Sequence, residues 1–465
     1  MKVKEIYIKD FRQFKEFTLD LTYPKGHEKE GQPLDKVCFI GQSGTGKTSL
    51  LKLIYLMRMP GEWKEKLNAS TKDLIDKIGF KVSNSINNEM IISFKDSVQD
   101  LYALSENMMS TFNSVKYNFK EILQSDFAGE QENLLSIFNK FFENDIAERK
   151  SKIIYFPSEL KYDFNNDLEN KASTNKRVFD FSKESIYELW VSVLDDITKY
   201  QEQILSFRQQ ISIAAESGNK DATENEVSHL RAWVASNFNP INDLADNCID
   251  PLIKNFSLKV RRDLNIQQKE DIGFIKLETL ENTEISYSSW STGTKQVILS
   301  ALPLYKLKPE NSTILFDEPE TSLYPDLQRT IIDYYQKFTK DSQFFYATHS
   351  PIIASSFEPW EIVELKFDDK GYVYRDIYYE GENHVDNYYI DPRFLNFDLM
   401  LKEVFDMKFT NGDMRYEALS EYGMLKNQLE TFKKENKLQT PAAKEVYKKF
   451  KLLSKKLVAN PEQHA

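Results

Sequence analysis

From residue 186 onward, apolar side chains recur at Ile186, Trp190, Val193, Ile197, Tyr200, Ile204, Phe207 and Ile211, in alternating steps of four and three. A seam of this period predicts an amphipathic helix that packs along its length against a second one. Ser217-Gly218-Asn219 reads as the turn, and the stretch around Leu230, Trp233, Val234 and Phe238 as the returning helix. The expected element is a short coiled-coil hairpin over residues 184–238. At 1.5 Å per residue, roughly 26 residues reach only about 39 Å.

Elsewhere the pattern is that of strands. Residues 3–9 and 16–22 predict two short strands around Phe11-Arg12-Gln13-Phe14, followed by an exposed loop at 24–34. The apolar run Val37-Cys38-Phe39-Ile40 predicts a buried strand, and Ser49-Leu50-Leu51-Lys52-Leu53-Ile54-Tyr55 a helix packed on a sheet. Further strands are expected at Ile153–Phe156, stopped by Pro157, and at 272–278, 312–316 and 343–347, the last two each followed by a polar loop. The intervening stretch from about 98 to 150 reads as helical and charged. Beyond Leu395 the chain is helical again, with a stripe of Leu419, Tyr422, Leu425, Leu429 and Phe432, and with Thr440-Pro441 opening a last helix. The predicted class is α/β: a mostly parallel core sheet, an N-terminal antiparallel β subdomain, a short helical insertion and a helical C-terminal region. The corresponding segments are 1–97, 98–250, 251–394 and 395–465.

Composition narrows the class. The 465 residues are 41% hydrophobic and 29% charged, with only 15 Gly and 15 Pro, which excludes collagen-like, linker-rich and largely disordered chains. A net charge of −11 argues against a chain that coats nucleic acid over its whole surface. Cys38 and Cys248 are the only cysteines and there are five His, so neither a disulfide framework nor a zinc cluster is expected. No apolar run of about 18 residues and no secretory leader stands out, and a soluble protein of a reducing cytoplasm is the expectation.

The chemistry starts at Gly41-Gln42-Ser43-Gly44-Thr45-Gly46-Lys47-Thr48, which matches G-x-x-x-x-G-K-[ST] between an apolar strand and a helix. Its glycines let backbone N–H groups converge on phosphates, the helix that follows adds its positive end, Lys47 reaches the β- and γ-phosphates, and Thr48 can ligate Mg²⁺. Ser49 belongs to the same nucleotide-binding set. A second constellation, Ile314-Leu315-Phe316-Asp317-Glu318, is an apolar strand ending in two carboxylates that point different ways. Asp317 then supports the Mg²⁺ shell and Glu318 orients or deprotonates the attacking water. Phe344-Phe345-Tyr346-Ala347-Thr348-His349 is a third strand, ending in a His whose neutral imidazole can hydrogen-bond the γ-phosphate or the water. Ser288-Ser289-Trp290-Ser291-Thr292-Gly293-Thr294-Lys295-Gln296 precedes a helix and, taken alone, is a helix cap.

In this order the four pieces resemble the soluble ABC-type ATPases of the SMC, RecF and OLD group. The resemblance puts Ser291 and Gly293 at the serine and glycine of the signature loop, with Trp290 and Thr292 departing from the commoner Leu and Gly. It implies that these donors reach ATP across a dimer, that Arg12 lies near the nucleotide, and that Asp317-Glu318-Pro319-Glu320-Thr321-Ser322-Leu323-Tyr324-Pro325 spans the Walker B and D-loop. A Q-loop Gln is not identifiable; Ser158 and Glu159 are the nearest candidates. The match is specific over residues 1–60 and 285–355.

The departures matter too. Asp368-Asp369 is the only acidic pair in the tail, so no nuclease domain of the OLD type is expected, and the hairpin is far shorter than an SMC arm. The layout is similar to the ATPase component of PARIS-type anti-phage systems, which implies a homodimer or higher homo-oligomer and a separate effector such as a nuclease. DNA is a further candidate partner; a membrane is not. The last helix carries Lys444, Lys448, Lys449, Lys451, Lys455 and Lys456 against Glu445, either as a solvated face or as a surface for nucleic acid or an acidic protein. The expected function is Mg²⁺-dependent ATP hydrolysis that drives dimer closure. The alternatives are a RecF-like DNA repair clamp, a transporter's nucleotide-binding subunit, and a scaffold that binds ATP and scarcely hydrolyses it.

Overall fold

The computed structural model describes residues 2–57, 76–83, 89–95, 100–104, 151–160, 176–262, 275–376, 391–407 and 412–457. The chain divides into two units, Met1–Leu395 and Asn396–Ala465.

The first unit is built on one large mixed sheet. Its strands are β1 (Lys2–Phe11), β2 (Phe14–Asp20), β3 (Lys36–Gly41), β4 (Asp76–Ser83), β5 (Glu89–Lys95), β6 (Asp100–Leu104), β7 (Ile153–Phe156) and β8 (Val178–Asp180). A small separate sheet holds β9 (Leu258–Val260), β10 (Leu277–Thr279) and β11 (Glu284–Ile285). The large sheet resumes with β12 (Thr313–Asp317), β13 (Gln343–Ala347), β14 (Ile362–Phe367) and β15 (Val373–Arg375). Among the described residues its order is β6-β5-β4-β1-β2-β15-β14-β3-β13-β12-β7-β8. The run from β14 to β8 is parallel throughout. The run from β6 to β2 is antiparallel. This is an α/β fold with a mostly parallel core and an N-terminal antiparallel part, joined where β15 lies beside β2.

The parallel strands are apolar because both of their faces are covered. Every residue of β7, β12 and β13 is buried. Phe316 stacks on Phe156 at 4.4 Å and on Tyr335 at 4.5 Å between ring centres. Helix α1 (Lys47–Met57) lays Leu50, Leu51, Leu53 and Ile54 onto the sheet. The stretch from 98 needs one correction: Asp100–Leu104 is a strand rather than helix, paired antiparallel to β5, whose ladder overrides the charged local pattern. Residues 105–150 lie outside the described set. The strand expected at 272–278 begins only at Leu277 among the described residues.

The heptad seam forms α2 (Tyr187–Glu216), and Gly218 at φ +72° makes the turn into α3 (Lys220–Ser236), whose N-cap Asn219 accepts from the Ala222 amide. Tyr200 and Phe207 pack on Trp233 at 4.9 and 5.7 Å. The seam is buried only from Ile186 to Ile197, where α2 meets the body of the unit. There Lys306 of α4 (Thr292–Leu307) pairs with Asp196, and Tyr305 donates to Asp243. Phe238 lies beyond the end of α3 and is 89% exposed, so it is not part of the seam. Helix α5 (Pro325–Gln336) follows the Asp317 loop and buries Leu327, Ile331, Ile332, Tyr334 and Tyr335.

The second unit holds α6 (Asp413–Lys434) and α7 (Pro441–Leu457). Tyr422 stacks on Phe450 at 4.7 Å, and Leu425 and Ala443 are buried. Leu419 is exposed, so the expected stripe begins one turn late. Thr440 caps α7 through the Ala443 amide at 3.3 Å. The six lysines of α7 are exposed, while Val446, Phe450, Leu453 and Leu457 are half-buried.

Candidate functional site

The C-terminal ends of β3, β13 and β12 lie side by side, and the loops that leave them carry the chemistry expected at such an edge. β3 runs into Gly41, at φ +140°, where a Cβ would stand 2.3 Å from the carbonyl oxygen of Leu365 on the neighbouring β14. Gly46, at φ +88°, has no room either: a Cβ would meet Gln13 Nε2 at 2.4 Å and the Phe14 ring at 2.6 Å. These two positions fix the loop against the sheet. Buried Thr45 pins it from within, its Oγ1 donating to the Gln42 carbonyl at 2.8 Å.

The turn between β1 and β2 supports the loop from outside. Gln13 Nε2 donates to the Gly44 carbonyl at 3.0 Å, and Arg12, itself at φ +55°, reaches Ser49 Oγ at 3.1 Å. Gln42, Ser43 and Gly44 form the exposed tip. Because α1 starts at Lys47, its first N–H groups have no partner in the helix, and its positive end points into the loop. Lys47 is 6% exposed and donates from Nζ to the Gly41 and Gln42 carbonyls at 2.9 and 3.1 Å.

Thr48 joins this loop to β12 through a bond from its Oγ1 to Asp317 Oδ1 at 2.9 Å. The other oxygen of Asp317 accepts from the Tyr155 hydroxyl at 3.2 Å. Burial raises the Asp317 pKa, and these two bonds oppose the rise. Glu318 sits in the left-handed region at φ +49°, a conformation that costs about 1–3 kcal/mol for a residue with a side chain. Its amide still donates to Ala347 of β13 at 2.8 Å, while its side chain is partly exposed at the strand end. His349 follows the end of β13. Partial burial and then the charge of Lys47 lower its pKa, with Glu318 and Asp317 acting the other way. Burial likewise lowers the Lys47 pKa against the carboxylates of Glu318, Asp317 and Glu320. Lys47, Thr48, Asp317, Glu318 and His349 therefore share one neighbourhood, with a buried ammonium facing carboxylates and a neutral imidazole.

Ser291 and Gly293 stand apart from it. Ser291 Oγ accepts from the Thr294 amide at 3.1 Å, which makes it the N-cap of α4. Among the described residues no hydrogen bond joins Ser291 or Gly293 to the P-loop. Gly293 instead lies against the loop after Asp317, where a Cβ would stand 2.4 Å from the Ser322 carbonyl oxygen. Gln296 of the same helix donates to the Ser158 carbonyl at 3.3 Å, tying α4 to the segment after β7 in which Ser158 and Glu159 lie.

Three contributors escaped the sequence. Tyr155 looked like one more apolar residue of β7; its hydroxyl shows only once β7 is paired beside β12. Gln13 sat inside the Phe-Arg segment without a partner. Glu320 was visible as a third carboxylate after Asp317-Glu318, but its partners lie in another loop. Its Oε1 accepts from Thr348 Oγ1 at 2.6 Å and from the His349 amide at 2.9 Å.

The residues present fit a magnesium nucleotide. Among the described residues no group of three or more His, Cys, Asp or Glu forms a cation cage. Mg²⁺ needs none, since it keeps waters and takes one or two protein oxygens together with phosphates. Thr48 and Asp317 would hold it, and it would neutralise charge on the phosphate oxygens. The α1 N-terminus and buried Lys47 suit the phosphates themselves.

Among solved structures, the chain is similar to an SMC head bound to the C-winged helix domain of ScpA, at 13% identity and a TM-score of 0.40, covering 81% of this chain and 97% of that one. It is also similar to an SMC head with an extended coiled coil bound to the C-terminal domain of ScpA, derived from Pyrococcus furiosus (13%, 0.38, 81% and 96%). A third is the SMC head domain from Thermotoga maritima (13%, 0.36, 81% and 98%). No curated protein matches the chain. No helix among the described residues is long and apolar enough to cross a membrane. The family model of the AAA ATPase domain matches residues 1–354, the span that contains the P-loop, the Asp317-Glu318 strand end and His349. With those motifs at one sheet edge and a match over most of its length, the chain belongs to the AAA ATPase domain family.

Proposed function

We propose that the chain hydrolyses ATP with Mg²⁺ in a closed homodimer, each nucleotide held by the P-loop of one copy and the Ser291 loop of the other. The observation that carries this reading is the Thr48–Asp317 bond, which locks the P-loop to the strand that presents Glu318 beside His349 and Lys47. Lys47 and the amides at the start of α1 bind the triphosphate. Thr48 and Asp317 hold the metal. Glu318 orients the water and takes its proton, and His349, kept neutral, donates or accepts at the γ-phosphate side. Arg12 and Ser49 support the loop from its outer flank. Ser291 is exposed at the N-terminus of a 16-residue helix and has no partner in the P-loop of its own chain, which supports its use by a second copy.

Closure in this scheme depends on contacts made only with a γ-phosphate present, so hydrolysis reopens the dimer. We infer that the opening and closing control a separate effector protein in anti-phage defence, a reading supported by the layout that the motifs share with such ATPases. Light scattering on the Glu318→Gln variant tests the closure. With Mg-ATP it should run as a dimer and with Mg-ADP as the open form, and Ser291→Arg should abolish the ATP-dependent dimer. An assembly state indifferent to ATP in both variants would refute the shared-site reading.

A further inference from the structure

Glu320 lies outside the proposed catalytic set, yet it holds the backbone that carries His349. Its Oε1 accepts two bonds at once, from Thr348 Oγ1 at 2.6 Å and from the His349 amide at 2.9 Å. Its Oε2 is buried and has no hydrogen-bond partner among the described residues. His349 is largely exposed, so its backbone does much to set the place of the ring.

A second link brackets His349 from the other side. Ser350 Oγ donates to Gln328 Oε1 at 2.6 Å, and Gln328 Nε2 donates to the Leu323 carbonyl at 2.9 Å. Thr348 is itself anchored, its amide donating to Phe39 at 3.1 Å and its hydroxyl oxygen accepting from the Ser350 amide at 2.9 Å. Glu320, in the loop after Asp317, thus grips the loop after β13 at residues 348 and 349, and Gln328 of α5 grips it at 350. The loop after Asp317 is pressed at Ser322 by Gly293, where no side chain fits.

We propose that Glu320 is a positioning residue that clamps the His349 backbone to the loop after Asp317 and so sets where the imidazole stands. The proposal rests on the ATPase reading for its consequence in catalysis, though not for the clamp itself. Burial raises the Glu320 pKa, and the bonds from Thr348 and His349 oppose the rise, which accords with a carboxylate kept in place for its two donors.

The test compares Glu320→Ala with Glu320→Gln in the full chain. Gln keeps a carbonyl oxygen for both accepted bonds, loses the charge and sets an amide NH2 where Oε2 stands. Hydrogen–deuterium exchange of the peptide over residues 345–352, read without nucleotide, reports the clamp. For Glu320→Ala it should speed up about tenfold or more, the loss expected for bonds to a charged acceptor. The kcat for Mg-ATP should fall by about the same factor while the ATP Kd stays within about twofold. Glu320→Gln should recover most of both, since a neutral carbonyl accepts the same bonds more weakly than a carboxylate. If Glu320→Ala does not fold, Glu320→Asp, which withdraws the carboxylate by one methylene, takes its place with the same expected results. Parental exchange in the Ala or Asp variant overturns the clamp whatever the ATPase activity. Faster exchange with an unchanged kcat, or a Gln variant as impaired as Ala, overturns the positioning role. A parental chain that binds Mg-ATP and releases no phosphate refutes the hydrolysis reading, and the exchange result still decides the clamp.

Discussion

Gly44 and Gly46 offer a matched pair for testing why the P-loop needs its glycines. Both have left-handed backbones, at φ +86° and +88°. A Cβ at Gly44 would meet nothing closer than the Phe367 ring at 3.9 Å, whereas one at Gly46 would overlap Gln13 Nε2 and the Phe14 ring. Gly44→Ala therefore costs only the backbone term, about 1–2 kcal/mol. Gly46→Ala adds overpacking against Phe14, which is fully buried, for a total of about 2–5 kcal/mol. The difference also has a functional side. Relieving the Gly46 clash pushes Lys47, the next residue, away from the mouth of the loop, while Gly44→Ala leaves it in place. Urea denaturation followed by tryptophan fluorescence, together with equilibrium ATP binding, reads both effects. The midpoint should fall about twice as far or more for Gly46→Ala as for Gly44→Ala. The ATP affinity of Gly46→Ala should drop by about tenfold or more. Equal midpoints in the two variants would refute the packing argument.

Other predictions follow from buried polar groups. Tyr155→Phe removes a bond to the Asp317 carboxylate and should cost about 1.5–3 kcal/mol in stability, with a weaker Mg²⁺ dependence of ATP binding; unchanged stability would contradict the role given to that hydroxyl. Glu361 is 2% exposed and burial pushes its pKa up to about 7, with Lys36 at 3.6 Å opposing the shift. A carboxyl raised in the folded state contributes stability that is complete below its ordinary value and is lost as the pH rises through about 7. Glu361→Gln should therefore gain on the parental protein between pH 5 and pH 8, by about 3 kcal/mol over the whole span, and a pH-independent difference would exclude this.

The parallel core was legible because burial on both faces leaves unbroken apolar runs: Ile153–Phe156 and Gln343–Ala347 stand where the pattern puts them. β14 was not, since Ile362–Phe367 carries Glu364 and Lys366, which pair at 3.1 Å with Glu364 buried inside the sheet. That charge hid a strand which lines the P-loop at Gly41. The P-loop, Asp317, Glu318 and His349 could be found because each stands at the end of an apolar run. Glu320 and Tyr155 could not be assigned, because their partners come near only through strand pairing. Asp317 lies opposite Ala347 in the β12–β13 register, and this sets side by side the two loops in which Glu320 meets Thr348 and His349. The Ser291 segment could be read as a cap or as a signature loop, and in a single chain it is the cap of α4.

In the proposed reaction Glu318, beside the Thr48–Asp317 bridge, turns bound ATP into ADP and phosphate. Single-turnover phosphate release from prebound Mg-ATP, parental against Glu318→Gln, tests it most directly. Parental release with loss of about a hundredfold or more in the variant, at equal ATP affinity, is the predicted result. Equal release rates in the two proteins would contradict it.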